Sequence, residues 1–163
     1  MKRSVLAILV VLAFGFGQSG TIAASEINGE EIRAFDFGFS GAPQGDREAG
    51  PYSFSFTNTS VTDFHVILFV RIAPSHRGAT DAEILAAIDK GPVVSLCPTG
   101  CFFNQLAGGA AGPPGSTTTS VGPNFQPGPA QLLPGRYAYF CPVPEENGTP
   151  HYRLGMFGTF FAK

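Results

Sequence analysis

In the stretch YSFSFTN every second side chain is aromatic: Tyr52, Phe54 and Phe56 fall on one side of an extended chain, and Ser53, Ser55 and Thr57 on the other. A helix would scatter these aromatics around its circumference, whereas a strand lines them along one face. Serine and threonine compete with helical backbone for hydrogen bonds and add to the bias. The segment EEIRAFDFGFSG, Glu30 to Gly41, alternates in the same way, with Ile32, Ala34, Asp36 and Gly38 on one side and Phe35, Phe37 and Phe39 on the other. It reads as one half-buried strand.

FHVILFVRI, Phe64 to Ile72, is apolar on both sides except at its ends, which predicts a central strand covered on both faces. The helix that follows is its expected second cover. In TDAEILAAIDKG, Thr80 and Glu83 form a capping-box pattern, Ile84, Leu85 and Ile88 make an apolar stripe, and Gly91 with Pro92 ends the element. Residues 107–131 are rich in Gly, Pro, Ser and Thr and read as a long surface excursion with one polar strand near Ser116 to Val121. Pro134 and Gly135 then turn into a strand ending at Cys141, and GMFGTFFA closes the chain as the last strand. Short strands, frequent turns and a single helix predict an all-β sandwich rather than βαβ units.

The first residues are expected to stand apart from this fold. Lys2 and Arg3 precede the apolar run SVLAILVVLAFGFG, and small residues follow in SGTIAASE, so residues 1–24 read as a signal peptide and 25–163 as one domain. No later segment reaches about 18 consecutive apolar residues, and no transmembrane segment is expected. From Ser25 onward, 8 Lys plus Arg against 12 Asp plus Glu leave a net charge of −4. The few basic residues are scattered along the sequence, which excludes nucleic acid as an expected partner.

Export gives the three cysteines meaning. Cys97 and Cys101 lie together in CPTGC and are expected to pair in an oxidising compartment, leaving Cys141 over. An unpaired thiol there is buried, bonded to another chain or held by a metal.

The tail PGRYAYFCPVPEENGTPHYRLGM, with FTNTSVTDFHVILF upstream, resembles the signature of the cupredoxins, the blue type 1 copper domains, over roughly residues 50–72 and 132–161. The resemblance implies a Greek-key sandwich with one inserted helix, and a copper ion held by the Cys141 thiolate, the His65 and His151 imidazoles and an axial Met156. The helix and the Gly-rich excursion look like an insertion. Four residues separate His151 from Met156, as is common in the family, while nine separate Cys141 from His151, similar to a subgroup with an extended, Pro-containing loop. Soft sulfur donors with two imidazoles select copper over zinc, which disfavours a thioether. The resemblance further implies a periplasmic or secreted carrier of single electrons, not an enzyme, with no particular redox partner or oligomeric state indicated. The rival readings are a binding or structural module without a redox role and a copper storage or delivery protein. Glu145 and Glu146 are expected to face solvent, and His76 with Arg77 to lie on a turn.

N-terminal sequencing of exported material is expected to begin at Ala24 or Ser25, and its non-reducing peptide map to show a 97 to 101 link. Retention of Met1, or a bridge involving Cys141, would contradict the export and pairing readings respectively.

Overall fold

Alternating aromatics become, in the computed structural model, the inner faces of two sheets. The structure describes residues 29–90 and 100–163, so the expected signal peptide, Gly91, Pro92 and Cys97 lie outside the described residues. In chain order the elements are β1 (Glu30–Phe35), β2 (Gly38–Ser40), β3 (Gly45–Arg47), β4 (Gly50–Tyr52), β5 (Phe54–Asn58), β6 (His65–Ile72), α1 (Asp81–Asp89), β7 (Phe103–Gly112), β8 (Thr117–Thr119), β9 (Ala130–Leu132), β10 (Gly135–Phe140) and β11 (Phe157–Ala162). One sheet has the order β2-β1-β5-β8 and the other β3-β11-β10-β6-β7, with β4 and β9 forming a separate pair. Pairing is mostly antiparallel, but β1 runs parallel to β5 and β3 parallel to β11. The all-β architecture with one short helix is the expected one, and among the described residues no helix is long and apolar enough to cross a membrane.

Between the sheets, Phe54 meets Phe69 edge to face at 5.4 Å, and Phe69 meets Phe160 at 5.9 Å. Each such ring, fully buried, contributes about 1.5–3 kcal/mol by leaving water. Beyond the second sheet, Val70, Ile72, Ala138 and Phe140 pack against Ile84 and Ile88 of α1. Thus β6 is covered on both faces, as its sequence implies. The capping box is present: Glu83 N donates to Thr80 Oγ1 at 3.3 Å, and Thr80 N donates to Glu83 Oε2 at 2.7 Å.

Two expectations are corrected. Glu30 to Gly41 is a hairpin of β1 and β2, not one strand, and its turn places Phe37 at a φ of 61°. Ile32 and Ala34 are its buried residues, while Phe35 and Phe37 are exposed. Period two fixes which residues share a face but not which face turns inward. Here β5 already supplies the bulky inward rings, and Phe35 instead lies over Gly38, where a Cβ would come within 2.5 Å of its ring.

The second correction concerns the Gly-rich region, which is only in part a surface excursion: residues 113–119 and 123–129 are mostly exposed, but the rest is built into the fold. Its first part belongs to β7, paired antiparallel along the whole of β6 with a bulge beside Phe69 and Val70. A Cβ on Gly109 would lie 2.1 Å from the Ile67 carbonyl oxygen, and one on Gly108, at a φ of +136°, 2.2 Å from that of Val121. Glycine serves close backbone approach here rather than freedom. The Thr-rich strand is observed as β8, paired to β5.

These pairings set up one end of the molecule. β10 lies between β6 and β11, and Phe140 pairs with both Leu68 and Phe157. The start of β6, the end of β10 and the start of β11 therefore share one edge.

Gly109→Ala is expected to lower the urea unfolding midpoint by the equivalent of about 1–3 kcal/mol, the usual cost of overpacking. Gly78→Ala, where a Cβ meets nothing within 4 Å, should stay within about 0.5 kcal/mol. Equal midpoints for the two variants would contradict the packing role of Gly109.

Candidate metal centre

The loop before β6 is shaped by Asn58. Its fully buried amide donates to the carbonyls of Asp63, at 2.7 Å, and Gly112, at 2.9 Å, and its oxygen accepts from Ser60 N at 3.0 Å. Ser60 Oγ in turn accepts from Asp63 N at 3.1 Å. One side chain thus fixes both the turn and its distance from the end of β7, and delivers His65 into the interior as the first residue of β6.

On the other side, the chain leaves β10 at Cys141 and returns at Met156. Cys141 N donates to Met156 O at 3.1 Å, and Tyr152 N donates to Cys141 O at 3.0 Å. The nine intervening residues do not hold His151 away. Pro144 and Pro150 bridge, Glu145 N donates to Thr149 O at 2.9 Å, and His151 N donates to Val143 O at 2.9 Å. The extra length is thus taken up in a closed turn, and His151 returns beside Cys141. A single helical turn, His151–Arg153, then leads to Met156, whose N donates to His151 O at 3.1 Å.

The side chains converge. His65 Nδ1 lies 3.2 Å from His151 Nδ1, and Cys141 Sγ 3.5 Å from that same nitrogen. His65, Cys141 and His151 offer donor atoms that all fall within 4.8 Å of one another. All three are buried, and Met156 beside them is fully so. Of the six residues singled out from sequence, the structure gathers His65, Cys141, His151 and Met156 at one end. Cys97 lies outside the described residues, so its pairing with Cys101 stays a proposal, and Cys141 is a free thiol.

Three carboxylates near the histidines were missed. Glu145, expected in solvent, is only partly exposed and brings Oε1 within 2.6 Å of His151 Nε2, though misaligned for a hydrogen bond. Asp36 and Asp63 place oxygens within 4.8 Å of a His65 ring nitrogen. Asp36 reaches the site because the β1–β2 turn folds over it: the Phe37 ring meets His151 edge-on at 5.8 Å, and a Cβ on Gly155 would lie 2.7 Å from Phe37 O. The only sequence signal for this was an acidic residue on the face that Ile32 and Ala34 otherwise make apolar.

Burial pushes the Cys141 thiol above its ordinary range, partly offset by backbone N–H groups of Val66, whose N is 3.4 Å from Sγ, and Val143. Burial, and then the neighbouring His151, hold His65 below its usual range, against the pull of Asp63, Asp36 and Glu145. Both groups are thereby kept neutral near pH 7 in the metal-free fold.

No family model and no curated protein matches the sequence. Solved structures do resemble the fold. They include the dithionite-reduced auracyanin of Roseiflexus castenholzii, at 20% identity and a TM-score of 0.47 over 82% of this chain and 94% of that one. Auracyanin A of Chloroflexus aurantiacus, described as a blue copper protein, resembles it at 20% identity and a TM-score of 0.48 over 82% and 96%.

The depressed His65 value sets a pH window. An unfolded histidine takes up a proton as pH falls through about 6.5, while folded His65 does not, so stability is lost as pH falls below that point, by up to about 1.4 kcal/mol per pH unit for one proton. Urea midpoints of the metal-free protein should fall between pH 7 and 5.5, above the range of ordinary carboxylates, and fall less in His65→Gln. An identical fall in both proteins would assign the effect elsewhere.

Proposed function

We propose that this chain is an exported, cupredoxin-like protein that holds one copper ion through His65, Cys141, His151 and Met156 and carries single electrons. The observation that carries the reading is the convergence of the buried donor atoms of His65, Cys141 and His151 at the shared ends of neighbouring strands. The spacing fits an ion: donors each about 2.0–2.3 Å from a common centre lie about 3.3–3.9 Å apart at trigonal to tetrahedral angles, against the observed 3.2 and 3.5 Å. Two imidazoles, a thiolate and a weak thioether are the donor set of electron-transfer copper, which supplies a one-electron couple when bound.

The chain's own groups divide the remaining work. The N–H groups of Val66 and Val143 stabilise negative charge on Cys141 once its proton has left. The two sheets fix the strand ends, which keeps the donors in nearly the same places in either oxidation state. Phe64, Phe37 and Leu154 are exposed. The first precedes His65, the second touches His151, and the third lies between His151 and Met156, so the same end presents apolar side chains on which a redox partner can dock transiently.

Metal-free protein, folded and with Cys141 reduced, is expected to take up one equivalent of Cu(II) at micromolar concentration and to develop an intense thiolate-to-copper visible band. Cys141→Ser should abolish the band, and His65→Ala and His151→Ala should weaken uptake. Met156→Leu should keep the colour and shift the potential. Uptake without the band would favour storage or delivery. No uptake would favour a module without a metal role.

A further inference from the structure

Four of the eight lysines and arginines that follow the expected signal peptide line one cavity: Arg71, Arg77, Arg136 and Lys163 surround a volume of about 260 Å³. The whole chain carries a formal net charge of −2, so general basicity does not explain this concentration. The cavity sits where β6 ends, β10 begins and β11 ends. These are the opposite ends of the three strands that present His65, Cys141 and Met156, roughly 20 Å away at about 3.3 Å per residue.

Their charges are incompletely paired. Lys163 meets Asp46 at 2.5 Å, and Arg136 meets Asp81 at 3.4 Å. Among the described residues neither Arg71 nor Arg77 has a carboxylate within ion-pair distance, so two of the four cations have no ion-pair partner. The donors are also incompletely used. Arg71 gives Nε to Pro134 O at 3.2 Å, and Nη2 to the same oxygen. Arg77 lies over the Phe161 ring at 5.4 Å. Arg136 donates through both Nη atoms to the carbonyls of Arg77 and Ala79, to Asp81 and to Thr159, yet its Nε is buried without a partner. The wall is shaped for this arrangement: Gly135, at a φ of +154°, lets Arg71 lie against the backbone, since a Cβ there would stand 2.7 Å from Arg71 Nε.

Like charges gathered in a concave space repel until a counter-charge enters, and the planar guanidinium fork matches the paired oxygens of a phosphate. Pro74 and Pro134 add an apolar side to the same cavity. We propose that this cavity binds a phosphate-type oxyanion, presented either as a free phosphate or as the phosphate of a lipid headgroup. Occupancy by a headgroup would turn the opposite end of the strands, with His65, Cys141 and Met156, away from the membrane surface.

The test uses the full folded chain, with inorganic phosphate as one probe and phosphatidylglycerol vesicles, against phosphatidylcholine vesicles, as the other. In phosphate titrations at ionic strength held constant with sodium chloride, saturable NMR shifts are expected at the Nε–H groups of Arg71, Arg77 and Arg136. Arg77→Ala, which removes no intramolecular hydrogen bond or ion pair found among the described residues, should weaken binding at least about tenfold, and Arg71→Lys should do so independently. Lys90→Ala, outside the cavity, should not. Saturable phosphate binding without sedimentation on vesicles supports the proposal with a free anion as the source. Sedimentation with phosphatidylglycerol alone, lost in Arg77→Ala, supports it with a headgroup. Phosphate shifts that are linear and unchanged in Arg77→Ala and Arg71→Lys, with no vesicle binding or with vesicle binding indifferent to both variants, would overturn it.

Discussion

The backbone of Cys141 is held on both sides, by its N–H to Met156 O and by its carbonyl from Tyr152 N. This pair of bonds carries the order of the sheet beyond the last residues of β10 and β11 into a segment that would otherwise be loop. Three of the four gathered side chains belong to residues in or beside that closed circuit, and the fourth, His65, is set by the neighbouring strand β6. Without it the donors would sit on a flexible connection, and bringing them together would cost the ordering entropy of the whole segment. With it, that cost is met when the sandwich folds, by burial of rings elsewhere in the core.

Much of this was legible in the residues. The alternation at Tyr52, Phe54 and Phe56, the two-sided apolar run of β6 and the Thr80–Glu83 cap each describe a local preference that packing leaves intact. What was not legible depended on partners. Whether Ile32 or Phe35 faces inward is decided by the strand opposite, and alternation carries no information about it. The glycines of β7 look like flexible linker until Ile67 O and Val121 O are seen to occupy the space a Cβ would need. Composition cannot distinguish a glycine chosen for mobility from one chosen for thinness.

The same division runs through the candidate metal centre. His65, Cys141, His151 and Met156 were readable because their order along the chain is itself a pattern. Glu145, Asp36 and Asp63 were not, since each reaches the histidines only through a fold of the backbone: a closed turn for Glu145, a hairpin turn for Asp36, an Asn58-centred loop for Asp63. Asp63, two residues before His65, is a neighbour in chain as well, but nothing in the spacing of Asp36 and Glu145 from the histidines marks them. Residues that surround a site are dictated by three-dimensional proximity, and a single sequence records proximity only where neighbours in space are also neighbours in chain.

The closed turn between Cys141 and His151 separates two quantities that are usually tied together, the length of a connection and the distance it spans. Because Pro144 meets Pro150 and Glu145 N meets Thr149 O, the residues at its tip, Glu146 to Gly148, form a side branch off a ring that is already shut. Replacements of Glu146 alter the outer surface while the ring keeps its circumference, whereas Asn147, whose Oδ1 accepts from Thr149 N at 2.8 Å, and Gly148, at a φ of 83°, help to close the turn itself. The outermost position of the segment, unlike Val143 and Glu145 beside the donors, can therefore change on its own, so that what the molecule meets and what it holds are open to change at different rates.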